Sequence, residues 1–332
     1  MIGKIIFGAE CQRCHVNLFS KRFYQKFGKG MQLLPEFGNT NLGRSWSTFV
    51  YEVNGENWLI MHDSDDGSGG TPMDCKLVFP NWHNLLKKYN IKDYVIFKNQ
   101  MTTLEEQCQH YPFKWDIYPT AIMSDNPDHI HQIAKTFKSP IEKCDIDVIF
   151  VGGHVHDKNQ PYCWPKNRNI NQWLPGVRTR GYKKLQEIQS RRKDINFFLV
   201  DGLMNSGDFY NHLVRSKICI DLPGTGQSSR KFFEYLVLGK CALSLKQQQT
   251  PWDLVEDIHY ASLGYDWDFN FLEDKIENLL NNQNRIEQIQ NAAKSLRPKL
   301  THDWMADYMM NTVDQHIQMK QMCPDWHSNY LR

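Results

Sequence analysis

Along the second half of the chain, short apolar runs alternate with stretches that carry apolar residues at helical spacing. Five runs predict strands, at Ile146–Val151, Ile195–Val200, Lys217–Leu222, Cys241–Leu245 and His259–Leu263. Between them, Tyr182–Arg192, Phe209–Arg215 and Ser229–Leu238 read as helices. Strands alternating with helices predict βαβ units and a parallel sheet covered on both faces. DVIFV and NFFLV are apolar at nearly every position, as strands buried on both sides are.

The first half repeats the scheme less regularly. Lys4–Phe7, Trp58–His62 and Tyr94–Phe97 read as strands; Pro80–Tyr89, Thr103–His110 and Asp128–Phe137 read as helices, the last with Pro127 at its start. The polar stretch Lys138–Asp145 is the expected hinge, and from Glu273 the pattern is helical, broken by Pro298. The expected organisation is α/β: two Rossmann-like domains, over 1–143 and 144–300, then a helical tail over 301–332 that packs back on the first domain.

Composition narrows the function. A chain of 332 residues is long enough for two cores. A formal charge of +2 lacks the basic surplus that nucleic-acid binding needs, so no nucleic-acid partner is expected. No apolar run reaches the roughly 18–20 residues that cross a bilayer, and the start, MIGKIIFGAECQRCH, has no small-residue cleavage site. Nine cysteines without a framework fit a reducing compartment, so a cytoplasmic protein is expected.

The chemistry concentrates in SKICIDLPGTGQSSRKFFEYLVLGKCALS, Ser216 to Ser244. In an open parallel sheet, ligands sit outside the carboxyl ends of the strands. Here a strand ends in a turn with Pro223, Gly224 and Gly226, where glycine lets backbone N–H groups approach a ligand closely. Ser228 or Ser229 is a good N-cap, and a helix start suits a phosphate. Arg230 and Lys231 then fall at the wrong end of the helix dipole for cations. An anion held there explains them, with Arg230 as a bidentate fork. Glu234 lies about 6 Å further along the axis, an offset that matches a ribose beyond a diphosphate.

This segment resembles the donor-binding segment of GT-B glycosyltransferases, in particular exostosin-like and related family 1 enzymes of bacteria and viruses. The resemblance covers about Asp145 to Leu296 and extends faintly to HDSDDG. It implies two domains facing a central cleft, with Arg230 on the diphosphate of a nucleotide-sugar donor and Glu234 on its ribose. It implies a hexosyl- or pentosyltransferase acting on a glycan or glycoconjugate, with no cofactor beyond the nucleotide-sugar substrate. The paired glutamates of the retaining members are absent, since the TGQSS region has no acid. An inverting, metal-independent reaction is therefore expected.

Other stretches add candidates. Gly153, with Gly152, follows the first strand of the second domain and lets the loop pass close to a nucleotide. Arg178 and Arg180, in the loop expected before the next helix, are candidates for the donor phosphates. In MHDSDDGSGG, an apolar strand ends in acids; Asp63 or Asp65 would serve as the base that deprotonates an acceptor hydroxyl, Asp65 with a marginal preference. Asp63-Ser64-Asp65 also spells the Asp-x-Asp of metal-dependent glycosyltransferases, which leaves a metal-dependent transferase as one alternative. A non-catalytic nucleotide- or carbohydrate-binding module is another. CQRCH matches a haem-attachment pattern but lacks an export signal and a second axial ligand, and the pair His154–His156 makes no metal site alone. Trp164, Trp173, Trp252 and Trp267 are assigned to packing.

Overall fold

The computed structural model describes residues 3–9, 22–33, 46–63, 84, 86–99, 117–120, 127–136, 143–153, 177–222, 229–247 and 250–322. These fall into two compact units. One takes in the described residues of Met1–Ala121, Gln249–Pro251 and Thr301–Arg332; the other, those of Ile122–Gln248 and Trp252–Leu300. The protein is α/β in both.

The first unit is built on a mixed sheet of six strands: β1 (Lys4–Ala9), β2 (Gln32–Leu33), β3 (Trp46–Val53), β4 (Glu56–Asp63), β5 (Ile91–Asn99) and β6 (Ile117–Thr120), in spatial order β2-β1-β3-β4-β5-β6. β4, β5 and β6 run parallel, whereas β3 is antiparallel to both its neighbours. The sequence reading missed β3. Its signal was Asn54-Gly55, which joins β3 to β4 with φ values of 55° and 76°. Positive φ at both central residues is the two-residue hairpin turn that matches strand twist.

The second unit holds a five-stranded, all-parallel sheet in the order β11-β10-β9-β7-β8. Its strands are β7 (Ile146–Val151), β8 (Phe197–Val200), β9 (Ser216–Asp221), β10 (Cys241–Ser244) and β11 (Ala261–Ser262). Six helices belong to its described residues: α1 (Pro127–Thr136), α2 (Val177–Arg191), α3 (Ser206–Val214), α4 (Arg230–Leu238), α5 (Leu272–Leu280) and α6 (Gln283–Ser295). Alternate strand residues such as Val148, Phe150, Ile218, Ile220, Cys241 and Leu243 share one core with Leu185 of α2, Ile276 of α5 and Ile289 of α6. Burying one such aliphatic side chain contributes about 1.5–3 kcal/mol. The intervening residues, Cys219 and Asp221 among them, lie on the opposite face.

α1 clusters with this unit, upstream of the boundary expected at 143/144. Its Ile130 and Ala134 are buried, and His131 Nε2 donates to the Leu300 carbonyl at 2.8 Å. The last helix, α7 (His302–Met322), belongs to the first unit. Arg22 grips Asp303 with two hydrogen bonds of 2.8 Å, and the Tyr51 hydroxyl donates to Asp314 at 3.0 Å.

Candidate functional site

Counted in chain order, the second sheet runs 2-1-3-4-5. The chain leaves β7 for β8 on one side and returns to β9 on the other, so β7 and β9 flank the switch point, where crevices open beyond the strand ends. Two cations meet there from different helices. Arg178, in the first turn of α2, donates from Nε to the Leu222 carbonyl and from a terminal nitrogen to the Gly153 carbonyl, both at 3.2 Å. One guanidinium thus straddles the ends of β9 and β7. Lys231, in the first turn of α4, donates to the Val151 carbonyl. Burial, and the Arg178 charge beside it, hold the Lys231 ammonium down at about 8 from an ordinary 10.5. A Cβ on Gly152 would sit 2.8 Å from Lys231 Nζ, so glycine at that position leaves the ammonium its place.

Beneath the cations lies a buried carboxylate. Asp221 ends β9 and is only 3% exposed. It accepts from the hydroxyl of Ser229 and, at 3.1 Å, from that of Ser244, its register partner on β10. Gln247 in turn donates to Ser244 Oγ at 2.7 Å. The Asp221 carboxyl lies above its ordinary value because burial pushes it up by more than Ser229, Arg178, Ser244 and Lys231 pull it down. Ser229 is the N-cap of α4, as the sequence placed it: φ is −109°, ψ is 160°, and Oγ accepts from the Phe232 amide at 3.1 Å.

The two ends of α4 treat positive charge differently. At its C-terminus, Gly239 closes the helix in the left-handed region, φ 66°, and Arg297 donates to the Val237 carbonyl at 2.5 Å. That cation complements the dipole. Lys231 and Arg178 sit at the N-terminus, where the dipole opposes them.

Glu234 lies one turn into α4 and is partly buried. Its charge acts on Lys231, and its carboxylate accepts from the Tyr210 hydroxyl of α3. The ring of His129, on α1, meets Tyr210 edge-on at 6.4 Å.

Of the residues singled out in the sequence, Gly153, Arg178, Ser229 and Glu234 gather around this point. Arg230 heads the same helix but is exposed. Arg178 and Arg180 lie in α2 itself, which starts at Val177 rather than Tyr182 because Val177 and Gly181 are buried against the core. Arg180 is engaged elsewhere: its Nε donates to the Trp267 carbonyl at 3.4 Å and pairs with Asp268. Asp63 closes β4, with its backbone in register with Trp46 and Lys98. Asp65, Gly224 and Gly226 lie outside the described residues, as do His154 and His156. Sequence reasoning noted Lys231 at the wrong end of the helix dipole but gave the anion to Arg230, and it passed over Asp221. The signal for Asp221 was an acid closing an apolar strand; for Lys231 it was a second cation in a first turn.

No protein-family model and no curated protein sequence matches the chain. Among solved structures, it is similar to HepE from Anabaena in complex with UDP-glucose: TM-score 0.41, 10% identity, 71% of this chain and 68% of that chain covered. It is similar to a glycosyltransferase from Rickettsia africae with TM-score 0.39 and 13% identity, over 73% of this chain and 81% of that one. A third is WaaG, a glycosyltransferase involved in lipopolysaccharide biosynthesis: TM-score 0.35, 10% identity, 70% and 80% covered.

Proposed function

We propose that the protein is a glycosyltransferase of the GT-B type whose second unit binds the diphosphate of a nucleotide-sugar at the β7–β9 switch point. The observation that carries this reading is the convergence of Arg178 and Lys231 on the carbonyls of Gly153, Leu222 and Val151. Two cations side by side at a helix N-terminus repel each other and the dipole; a diphosphate removes both penalties. Arg178 and Lys231 would hold it, with the first amides of α4 and with Arg230 at the rim. Glu234, one turn deeper, would accept from the ribose hydroxyls, and Tyr210 would orient its carboxylate.

In the reaction, the bond from the sugar's anomeric carbon to the diphosphate oxygen breaks, and the electron pair leaves with the nucleoside diphosphate. The acceptor hydroxyl oxygen bonds to that carbon from the opposite face, and a base takes its proton. Asp63 or Asp65 is the proposed base. Negative charge grows on the departing diphosphate, so cations fixed beforehand at its position stabilise the transition state more than the ground state. No metal is needed for that stabilisation, and the proposal includes activity that survives EDTA.

The test is a thermal-shift screen against UDP-, GDP-, dTDP- and CMP-linked sugars, followed by calorimetry with the best donor. One donor should raise the melting temperature by mass action, and Lys231→Ala should abolish the rise. A protein that responds to no donor, or a variant that responds as the wild type does, sinks the reading.

A further inference from the structure

The carboxylate under the two cations has no role in the reading above, and its hydrogen bonds do not require a charge. An asparagine at position 221 would keep the shape and accept from Ser229 through its carbonyl, and its amide would donate to Ser244 Oγ, whose own proton would then turn from position 221 to another acceptor. A buried ionised carboxylate costs far more desolvation than that amide. What only the aspartate supplies is a negative charge. It is supplied where two positive charges converge: Ser229, which Asp221 anchors, stands two residues before Lys231, and Leu222, whose carbonyl Arg178 grips, is its chain neighbour.

The groups facing Asp221 come from three elements. β10 gives Ser244, α2 gives Arg178, and α4 and its cap give Ser229, Lys231 and, acting at longer range, Tyr235, on which Glu234 also acts. Of the two carboxylates in that set, Asp221 is the more deeply buried; Glu234 is shared with Tyr210. Asp221 therefore offsets one of the two positive charges, and the remaining one is left for an external anion that approaches from the strand ends.

We propose that Asp221 is a built-in counter-ion for Arg178 and Lys231: it keeps both cations charged and in place, and it competes with the incoming diphosphate for them. Asp221 is thus a positioning residue. It sets how tightly the site holds diphosphate, and it favours release of the nucleoside diphosphate product by offsetting one of the two positive charges once that product leaves. This inference rests on the anion site proposed above.

The two roles open to Asp221 predict opposite signs. If it only anchors the Ser229 cap, Asp221→Asn leaves anion affinity unchanged or weakens it. If it is a counter-ion, Asp221→Asn tightens inorganic pyrophosphate binding by roughly threefold to tenfold, since one nearby opposing charge is gone. Calorimetry with pyrophosphate at pH 7.5 on wild type and Asp221→Asn, both shown folded by cooperative melting, reads the sign. Equal or weaker binding by the variant overturns the counter-ion role while leaving the anion site standing. Wild type that binds no pyrophosphate overturns the site itself.

Should Asp221→Asn not fold, the wild type decides. With aspartate carboxyl carbons labelled with carbon-13, saturating pyrophosphate should move the midpoint of the buried carboxyl upward in pH. A midpoint that stays in place overturns the proposal.

Discussion

The ammonium of Lys231 is hydrogen-bonded to the carbonyl of Val151, a residue 80 positions earlier in the chain. The contact ties the start of α4 to the end of β7, and it places a half-buried positive charge at the switch point of the sheet. Its protonation should control anion binding. With the ammonium held at about 8, affinity for a nucleoside diphosphate should fall as pH rises through that value. Calorimetry between pH 7 and 9.5 checks this, and Lys231→Met should flatten the dependence.

The same shift has a stability signature. Below about pH 8, Lys231 is protonated in both the folded and the unfolded chain. Between about 8 and 10.5, the unfolded chain holds a proton that the folded chain has lost, so stability rises with pH through that window. Denaturant melts at pH 7.5 and 10 should show a gain in the wild type that Lys231→Met lacks.

Burial should rank the cations. Charge-assisted hydrogen bonds are worth about 1.5–3 kcal/mol, so Lys231→Ala and Arg178→Ala should each weaken donor binding by roughly tenfold to a hundredfold. Arg230 is exposed, where charge is screened, and Arg230→Ala should cost less than about tenfold. A larger loss at Arg230 than at Lys231 would move the diphosphate to the rim of the helix.

Glu234 separates ribose from phosphate. Glu234→Ala should lower affinity for a nucleoside diphosphate at least tenfold yet leave inorganic pyrophosphate binding within about twofold of wild type. Tyr210→Phe, which removes the hydroxyl that Glu234 accepts from, should give a smaller loss with the same ligand selectivity. Equal losses for both ligands would mean that Glu234 acts on the cations rather than on a sugar.

Two glycines should respond in opposite ways. Gly152→Ala puts a methyl 2.8 Å from Lys231 Nζ, the far end of a flexible side chain, so the fold should tolerate it while donor binding drops. Gly181→Ala puts one 2.7 Å from Leu222 and 3.0 Å from Phe269 in the packed core. That overpacking should cost about 1–3 kcal/mol and lower the melting temperature. Thermal melts with and without donor distinguish the two.

Much of the second unit was legible in the sequence. β7 was read with the bounds it has, and α4 was read as Ser229–Leu238, one residue longer than it is, with Ser228 or Ser229 as its cap. In the first unit β1, β4 and β5 were visible as apolar runs, but the short β2 and β6 and the longer β3 were not. The apolar run Phe49–Val50–Tyr51 of β3 is short and flanked by Ser47, Thr48 and Glu52, although Thr48 to Tyr51 are buried on both faces, and the Asn54-Gly55 turn betrays it. α2 was started five residues late, at Tyr182, because Arg178 and Arg180 interrupt its apolar pattern with side chains that serve strand ends and loops rather than solvent.

The alternation of strand and helix in the second unit and the serine cap of α4 rest on interactions within a few residues, so the sequence determined them by itself. Tertiary structure alone decided which of the two adjacent cations reaches a strand end. Arg230 and Lys231 are neighbours pointing about 100° apart on one helix, and only the packing of α4 on the sheet turns one toward Val151 and leaves the other in solvent. It also decided that the charges of Arg178 and Lys231 act on Asp221, since those three come from separate elements that only the crossovers of the parallel sheet bring to one edge.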